Sequence, residues 1–278
     1  MKRLIKVLGI LLAVVLGFGG YLFFDANNIR ITSYDIHSPK IPSEFEGYRI
    51  AVFSDYHNAP YYEQALEKTR KQKPEVIFLT GDMINDDERE HESTKALIQG
   101  LVQIAPVYSV TGNHEMWNPG YSEFKKFLAE SGVHLLNYQG VMLKKDNAYI
   151  NLYGVDDFSI TDDQIKDSAQ IKQLENFSQK WVSPSGFHIL LMHRANAFPY
   201  IKDLHFNLIC SGHLHGGKMQ IPIISDWINE KKDNIFYYAK GLFSEGSAKM
   251  VVSRGMDRNL KMPRIFNPPE IVILTLKK

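Results

Sequence analysis

The chain starts with a long apolar segment that basic residues precede. Lys2, Arg3 and Lys6 come first, and no charged residue then occurs from Val7 to Phe24. A helix of that length extends about 27 Å, just enough to cross the hydrocarbon core of a membrane. Since no small-x-small cleavage site is evident, we expect a retained single-pass anchor rather than the alternative, a cleaved signal peptide. The basic N-terminus then stays in the cytoplasm and the bulk of the chain lies outside it. The next residues, FDANN, are expected to form a flexible stalk.

Short apolar runs alternate with polar stretches of helical character between residues 48 and 131. The runs RIAVFSD, EVIFLTGD and PVYSVTGNHE are typical of buried strands. Helices are predicted after them, at residues 61–73, 86–103 and 121–131. Strand–helix alternation at this spacing predicts βαβ units in a mostly parallel sheet.

The second half of the chain is richer in strands. Paired strands are predicted at residues 141–144 and 148–155, and a polar helix at residues 162–181. The segments GFHILLMHR, FNLICSGHLHGG, AKMVVSRG and EIVILTLKK are also strand-like, as are residues 29–36 near the start. No internal repeat or linker interrupts residues 48–278, so the pattern predicts one domain with two β-sheets flanked by helices.

The composition is that of an ordinary globular protein. Hydrophobic residues make up 44% and charged residues 23% of the 278, with a formal net charge of +1. We expect no nucleic acid as a partner, because the chain lacks a bulk positive charge. Cys210 is the sole cysteine of the sequence, so an internal disulfide is excluded. Its place inside an apolar strand predicts a core residue.

Five strand ends supply side chains that bind metals well. Asp, Asn and His follow apolar runs in FSDYHN, LTGDMIND, VTGNHE, LLMHR and CSGHLHGG. The candidate ligands in these segments are Asp55, His57, Asp82, Asn113, His193, His213 and His215. Because the carboxyl ends of strands line the crevice of an open α/β sheet, we expect these residues to converge on one rim. Imidazole, carboxylate and amide groups suit Mn, Fe and Zn, and these candidates outnumber what one ion needs, so the pattern favours two divalent metal ions.

The motifs D-x-H, G-D, G-N-H-E, H and G-H-x-H, in this order, resemble the calcineurin-like metallophosphoesterase family over residues 49–278. The segments GGKMQIP and NPPEIVILTL are similar to its membrane-anchored bacterial branch. The fold expected is α/β: a four-layer αββα sandwich of two mixed β-sheets flanked by helices, behind an N-terminal transmembrane helix. We expect residues 1–28 to be the membrane anchor and residues 29–278 the catalytic domain.

The resemblance implies two metal sites that share one bridging carboxylate. The residues implied for the first ion are Asp55, His57, Asp82 and His215. Those implied for the second are Asp82, Asn113, His193 and His213. His114 would not bind metal but would donate a proton to the leaving oxygen or stabilise phosphate charge, while metal-activated hydroxide attacks phosphorus in line. Glu115 would support these residues from behind.

Two departures from the family pattern change the surroundings of the site. Tyr56 stands where the family often has leucine, which we expect to alter packing or the rim. The segment HRANAF lacks a proline that often follows the ligand histidine, and we expect Arg194 to bind a substrate phosphate by a bidentate contact instead. Asp156 and Asp157 either shape the site or form a turn, and residues 231–233 are expected in a solvated loop. The histidines expected to be structural or on the surface are His37, His91, His134, His188 and His205.

The resemblance and the anchor together predict a phosphohydrolase at a membrane surface. An anchored active site favours membrane-borne substrates, such as lipid-linked diphosphates or phospholipid head groups. Soluble phosphodiesters and phosphomonoesters are the alternative substrates. A different class of function, a non-catalytic metal-binding membrane module, also stays open, although the full ligand set argues against it.

Overall fold

Twelve strands form two six-stranded β-sheets in the computed structural model, which describes residues 2–87, 90–158, 165, 168–225, 236–258 and 263–278. In chain order they are β1 (Arg30–His37), β2 (Arg49–Phe53), β3 (Val76–Thr80), β4 (Val107–Val110), β5 (His134–Leu135), β6 (Gln139–Lys145), β7 (Ala148–Gly154), β8 (His188–Arg194), β9 (Leu208–Gly212), β10 (Gly241–Glu245), β11 (Ala248–Val252) and β12 (Glu270–Lys277). The first sheet has the order β1-β12-β2-β3-β4-β5 and the second the order β10-β11-β9-β8-β7-β6.

Parallel pairing dominates the centre of each sheet, and this determines where the strands end. Strands β2 to β5 are parallel to one another, as are β7, β8, β9 and β11. Antiparallel pairs join β12 to β2, β6 to β7 and β10 to β11, so both sheets are mixed. The predicted βαβ units and the predicted hairpin near residue 145 are confirmed. In each sheet the carboxyl ends of the parallel strands share one edge.

The helices are α1 (Lys2–Asn27), α2 (Tyr62–Gln72), α3 (Glu92–Leu101), α4 (Asn113–Trp117), α5 (Tyr121–Glu130), α6 (Ala169–Trp181) and α7 (Phe198–Ile201). Helices α2, α3 and α5 cover the outer face of the first sheet, and α6 and α7 cover that of the second. Helices α2 and α5 confirm two predictions. The helix predicted at residues 86–103 is wrong at its start, because Asp86 instead contacts the ring of His114. The first part of the helix predicted at residues 162–181 lies mostly outside the described residues, as does the loop predicted at residues 231–233.

Three separate hydrophobic cores show that the fold has four layers. One lies between the first sheet and α2, α3 and α5, one between the two sheets, and one between the second sheet and α6 and α7. Successive residues of β2 alternate between them: Ile50 and Val52 face the second sheet, whereas Ala51 and Phe53 face the helices. Burial of each large apolar side chain stabilises the fold by about 1.5–3 kcal/mol. Cys210 lies in the core between the sheets, as predicted, and burial raises the pKa of its thiol.

Helix α1 stands apart from these cores. It has a mean hydropathy of 2.4 over its apolar window, none of which is buried, and it is long and apolar enough to cross a membrane. A signal sequence has the same properties. The predicted flexible stalk is wrong, because α1 continues through Asn27 and its end is attached to the domain. Asp25 is buried and pairs with Arg30 at 2.5 Å, while the carbonyl of Ala26 accepts a hydrogen bond from the Tyr61 hydroxyl.

Candidate metal centre

The carboxyl ends of five parallel strands deliver polar side chains to one edge of the molecule. In the first sheet, Asp55 lies two residues after the end of β2, and Asp82 lies two residues after the end of β3. Asn113 begins α4 just beyond β4. In the second sheet, His193 lies at the end of β8 and His213 directly after β9. Strand β3 packs against both β8 and β9, which brings the two sets together.

Two groups of these side chains have donor atoms that lie within 4.8 Å of one another. The first group contains Asp55, His57, Asp82 and His215. The second contains Asp82, His193 and His213. Asp82 therefore belongs to both groups, as the bridging carboxylate of a two-ion site must. Asn113 is buried beside them, since the backbone N–H of His114 donates to Asp82 Oδ1 at 2.9 Å.

The backbone adopts the left-handed region at most of the residues in these groups. The φ values are 49° at Asp55, 48° at His57, 54° at Asp82, 78° at His213 and 48° at His215. A non-glycine residue in this region costs about 1–2 kcal/mol. Strained residues cluster at functional sites, where the strain serves the geometry of the site. Five of them at one edge of the sheets are therefore typical of a functional site.

Glycine allows the loops to approach each other closely. A Cβ atom on Gly112 would lie 2.2 Å from Asp82 Oδ1, and one on Gly212 would lie 2.3 Å from Asp55 Oδ2. No real side chain fits at those distances. The G-N-H and G-H-x-H motifs therefore need their glycines for steric reasons alone, since neither residue has a positive φ.

His57 is a neutral imidazole with one nitrogen ready to bind a cation. Burial lowers the pKa of His57 to about 4, so its ring is uncharged at neutral pH. Its Nδ1 lies 3.0 Å from the Asn85 side-chain oxygen, to which it donates. The lone pair is then on Nε2, which is buried and has no hydrogen-bond partner among the described residues. Asn113 Oδ1 is likewise buried without a partner in the described part of the chain.

The electrostatics of the second group favour positive charge. Burial alone lowers the pKa of His193, but the Asp82 carboxylate at 3.1 Å outweighs burial and raises it to about 10. His193 Nδ1 donates to the carbonyl of Thr80 at 2.8 Å, and its Nε2 lies 3.2 Å from His213 Nδ1. Burial raises the pKa of Asp82 and of Asp55, but the adjacent histidines lower both below the ordinary value.

Asp257 orients His215, and the sequence analysis missed it. Its carboxylate lies 2.8 Å from His215 Nδ1, which leaves His215 Nε2 at 3.5 Å from Asp55. Lys218 and Arg264 bind the same carboxylate. Burial raises the pKa of Asp257, but the His215 and Arg264 charges hold it well below its usual range. The signal was present in SRGMD, where a glycine and an acid follow the end of β11 as they do at other ligand positions.

Glu115 holds two loops of the site together. Its Oε2 accepts the backbone N–H groups of Asp82 and Gly112 at 2.7 Å each. Its Oε1 accepts those of Met83 and Ile84 at 2.6 and 3.2 Å. Burial and then the charge of Asp82 raise the pKa of Glu115 to about 7, against these hydrogen bonds, which favour the ionised form. The expectation that Glu115 supports the other residues agrees with this geometry.

His114 lies at the mouth of the site rather than inside it. Its ring is 4.5 Å from that of His57, edge to face, and its side chain is 26% exposed, whereas that of His193 is fully buried. Its Nδ1 lies 3.2 Å from both the backbone N–H and the carboxylate of Asp86. With Nδ1 engaged there, Nε2 is the nitrogen left for a substrate. Asp86 was missed as a site residue because its sequence context suggested a helix.

Arg194 lies beside the site but is bound by another side chain of the protein. Its side chain is buried, and its Nε and Nη2 donate to the two carboxylate oxygens of Asp157 at 2.8 and 3.2 Å. Its Nη1 lies 3.3 Å from His213 Nε2. The guanidinium fork that was expected to bind a substrate phosphate therefore binds Asp157 instead. Of the two roles considered for Asp157, shaping the site or forming a turn, this contact favours the first. Tyr56 is buried in the core and its hydroxyl lies 2.7 Å from Ser93 Oγ, so it affects packing rather than the rim.

The remaining histidines lie outside both groups, as expected. The exposed ones are His37, His134 and His205, and the buried ones are His91 and His188. The donor set at the strand ends fits divalent first-row cations. It contains three imidazole–carboxylate pairs, which are His57–Asp82, His193–Asp82 and His215–Asp55. It also contains two buried atoms without a hydrogen-bond partner among the described residues, His57 Nε2 and Asn113 Oδ1. Donor type and unpartnered atoms both suit metal binding.

Comparisons with known proteins agree with this geometry. A family model described as calcineurin-like phosphoesterase matches residues 48–217. The uncharacterized metallophosphoesterase YkuE of Bacillus subtilis is 28% identical over 270 residues, 94% of this chain and 90% of YkuE. The UDP-2,3-diacylglucosamine pyrophosphatase LpxG of Chlamydia muridarum is 24% identical, over 90% of each chain. The phosphodiesterase YaeI of Escherichia coli is 22% identical, over 82% of each chain. The family model matches more than half of this chain, so the chain belongs to the calcineurin-like phosphoesterase family.

Proposed function

We propose that the protein is a binuclear metal-dependent phosphohydrolase that acts at a membrane surface. The observation that supports this most is the pair of donor groups sharing Asp82 at the edge where both sheets end. A phosphoester hydrolase is what the family implies, and the shared carboxylate supplies the geometry that a pair of ions needs. Residues 29–278 would form the catalytic domain and residues 1–28 the anchor.

The proposed ligands are the residues of the two groups. Asp55, His57, Asp82 and His215 would hold one ion. Asp82, His193 and His213 would hold the other, with Asn113 as a further ligand through its unpartnered Oδ1. Mn, Fe and Zn all accept these donors, so the donor set does not select among them.

When bound, two divalent cations would neutralise phosphate charge and lower the pKa of coordinated water. The residues of the chain perform the remaining steps. His114 donates a proton from Nε2 to the leaving oxygen, and Asp86 orients the ring through its backbone N–H, which donates to Nδ1, and through its nearby carboxylate. Glu115 keeps the two loops around Asp82 in register, and Asp257 keeps His215 turned toward Asp55. The buried Arg194–Asp157 pair supports the outer side of the His213 ring.

The proposed substrates are phosphate esters or diphosphates that are linked to lipids. Helix α1 supports this, since it is long and apolar enough to anchor the domain to a membrane. LpxG, a relative over most of the chain, is a pyrophosphatase of UDP-2,3-diacylglucosamine, a lipid-linked diphosphate. The basic residues in the first turns of α1 favour a cytoplasmic N-terminus and hence a single-pass protein with an extracytoplasmic catalytic domain.

A substrate screen distinguishes lipid-linked substrates from the alternative, soluble phosphate esters. Soluble phosphodiesters are favoured by the similarity to the phosphodiesterase YaeI. The screen measures hydrolysis of bis-p-nitrophenyl phosphate, p-nitrophenyl phosphate and a panel of lipid phosphates and diphosphates, with Mn²⁺, Fe²⁺ or Zn²⁺. Activity on lipids supports the proposal, and activity on the soluble esters with none on any lipid would remove its lipid part. Metal content of gently purified protein is measured in parallel.

His114→Ala distinguishes an enzyme from a binding module. The variant removes the proposed proton donor but none of the proposed metal ligands, so turnover should fall about 10²–10⁴-fold while metal content stays the same. A wild-type protein that binds metal but hydrolyses none of these esters would show that the protein is a non-catalytic metal-binding membrane module instead.

A further inference from the structure

A short apolar segment next to the metal centre is exposed to solvent. Residues 219–224, which we name the apolar loop, begin four residues after His215 and have the sequence MQIPII. Met219, Ile221 and Ile224 are 49, 43 and 53% exposed, and Ile223 is 82% exposed. Single exposed apolar residues are common on soluble proteins, but four within six residues form a patch that water does not favour.

The backbone at the tip of the apolar loop is strained. Ile223 has a φ of 71°, which is very unfavourable for a β-branched residue. Such strain persists where other interactions compensate for it. Ile223 is the most exposed large hydrophobic residue described, so packing against the described residues does not compensate for this strain. A contact with a surface outside the domain would compensate for it.

The apolar loop is bonded to residues 265–266, which pack against α1. Met219 forms an isolated parallel bridge with Ile265, and the backbone N–H of Gln220 donates to the Ile265 carbonyl at 2.8 Å. The next residue, Phe266, places its ring 6.1 Å from that of Phe18 and 6.2 Å from that of Tyr21. Phe18 lies six residues before the end of the apolar run at Phe24, a distance of about 9 Å along the helix. Phe266 therefore lies at the level of the apolar part of α1.

The strand topology places the metal centre at the same edge as α1. Strand β1 starts at Arg30, where α1 ends, and runs parallel to β12. Strand β12 is antiparallel to β2, so the start of β1 lies at the edge where the carboxyl end of β2 presents Asp55. The site, the end of α1 and the apolar loop thus share one edge of the domain.

The charges around the apolar loop suit an anionic lipid surface. Residues 219–225 contain no charged side chain. The described basic residues beside the segment are Lys218, which pairs with Asp257, and Lys240, which contacts the Gln220 side chain. An uncharged stretch of isoleucine and methionine with lysines nearby suits an interfacial membrane contact.

We propose that the apolar loop is a second membrane contact, which inserts into the phospholipid bilayer beside α1 and holds the mouth of the metal centre against the lipid surface. Two contacts fix the orientation of the domain, whereas α1 alone would let it rotate. The occupant of this surface is the acyl region of a phospholipid bilayer. What the inference says about substrate choice rests on the proposed function. A site that faces the bilayer receives a lipid phosphate by lateral diffusion within the membrane.

Fluorescence at a single labelled position tests the contact without any need for catalysis. Ile223→Cys in the full chain is labelled with an environment-sensitive dye and reconstituted into vesicles of phosphatidylethanolamine and phosphatidylglycerol. The native Cys210 is fully buried, and labelled wild-type protein serves as the blank. The matched control is Tyr149→Cys, because Tyr149 is 53% exposed near the amino end of β7, at the edge opposite the site.

The proposal requires a blue-shifted dye at position 223 that spin-labelled lipids quench, and a dye at position 149 that only aqueous iodide quenches. Equal iodide quenching at both positions would overturn it. Failure of the proposed function is a separate result, namely a wild-type protein that hydrolyses no phosphate ester, and it leaves the fluorescence result intact.

A polar substitution tests the consequence for substrate use. Ile223→Asn removes the apolar side chain, and asparagine tolerates a positive φ, so the thermal stability of the protein should stay level or rise. The ratio of the rate on a long-chain lipid phosphate to that on bis-p-nitrophenyl phosphate should fall about tenfold, because lipid access then depends on α1 alone. An unchanged ratio, or a loss of thermal stability that points to a structural role, would contradict the proposal.

Discussion

Gly112→Ala is the sharpest test of how the site is built. Gly112 has a φ of −103° and a ψ of −173°, an extended conformation that alanine adopts freely. The substitution therefore adds no backbone strain, and any effect comes from the new methyl group. That methyl would lie 2.2 Å from Asp82 Oδ1 and 2.5 Å from the Asp82 backbone nitrogen.

The size of the effect follows from these distances. Ordinary van der Waals contact begins at 3.4 Å, so the two loops must separate by about 1 Å. Overpacking of this kind costs about 1–3 kcal/mol of unfolding free energy. The displaced group is the carboxylate that belongs to both donor groups, and a 1 Å misplacement of a catalytic group lowers turnover about 10²-fold. Metal affinity should fall as well, because both proposed ions lose a ligand position.

The assay pairs Mn²⁺ titration calorimetry with hydrolysis of bis-p-nitrophenyl phosphate. Gly120→Ala is the matched control, because Gly120 also has a negative φ, −96°, and its Cβ would meet a single polar atom at 3.2 Å. We expect the control to resemble the wild type in both measurements. If Gly112→Ala also binds Mn²⁺ and turns over like the wild type, then the close approach of the loops does not position Asp82.

Three further perturbations address the remaining parts of the site. Asp257→Asn weakens the hold on the His215 ring, so metal affinity measured by calorimetry should fall about 10–100-fold, and unchanged affinity would contradict the orienting role. Asp86→Asn removes the negative charge beside His114, so kcat should fall about 10-fold or more while metal affinity stays constant; a drop in affinity instead would place Asp86 among the metal-binding residues. Burial lowers the pKa of His57 in the folded state from 6.5 to about 4, so the unfolded chain takes up this proton first. In the metal-free protein His57 should therefore contribute a fall in the unfolding free energy of about 1.4 kcal/mol per pH unit between pH 6.5 and 4, which Glu115, with its pKa raised to about 7, opposes above pH 4.5. Urea titrations of the wild type and of His57→Gln should differ by that slope, and parallel pH dependences would contradict it.

Much of the fold was predictable from local sequence. The strands β2, β3 and β8 are buried on both faces, so they appear in the sequence as continuous apolar runs. The candidate ligands were predictable for a related reason, because these polar residues follow such runs, often at a glycine or serine. Their use as metal ligands stays a prediction, but the structure brings six of the seven together in two groups whose donor atoms lie within 4.8 Å of one another.

The supporting residues were not predictable in the same way. Asp86 lies in a stretch that suggested a helix, and Asp257 has only the short signal in SRGMD, so their contacts with the histidines at the site are what identify them. Arg194 follows a candidate ligand and suggested a phosphate contact, but Asp157 occupies its fork in the folded chain. The end of α1 suggested a flexible stalk, and the pair of Asp25 with Arg30 extends the helix instead.

The sequence by itself determined which segments are strands, which residues offer metal-binding atoms and that the chain starts with a helix able to cross a membrane. Those properties depend on side-chain chemistry and on periodicity over a few residues, which any local segment already possesses. The tertiary structure decided which of these atoms meet, as His193 does with Thr80 and Asp82, partners more than a hundred residues away along the chain. Such pairs depend on strand order and on the packing of one sheet against the other, and these arise only when the whole chain buries its three cores together.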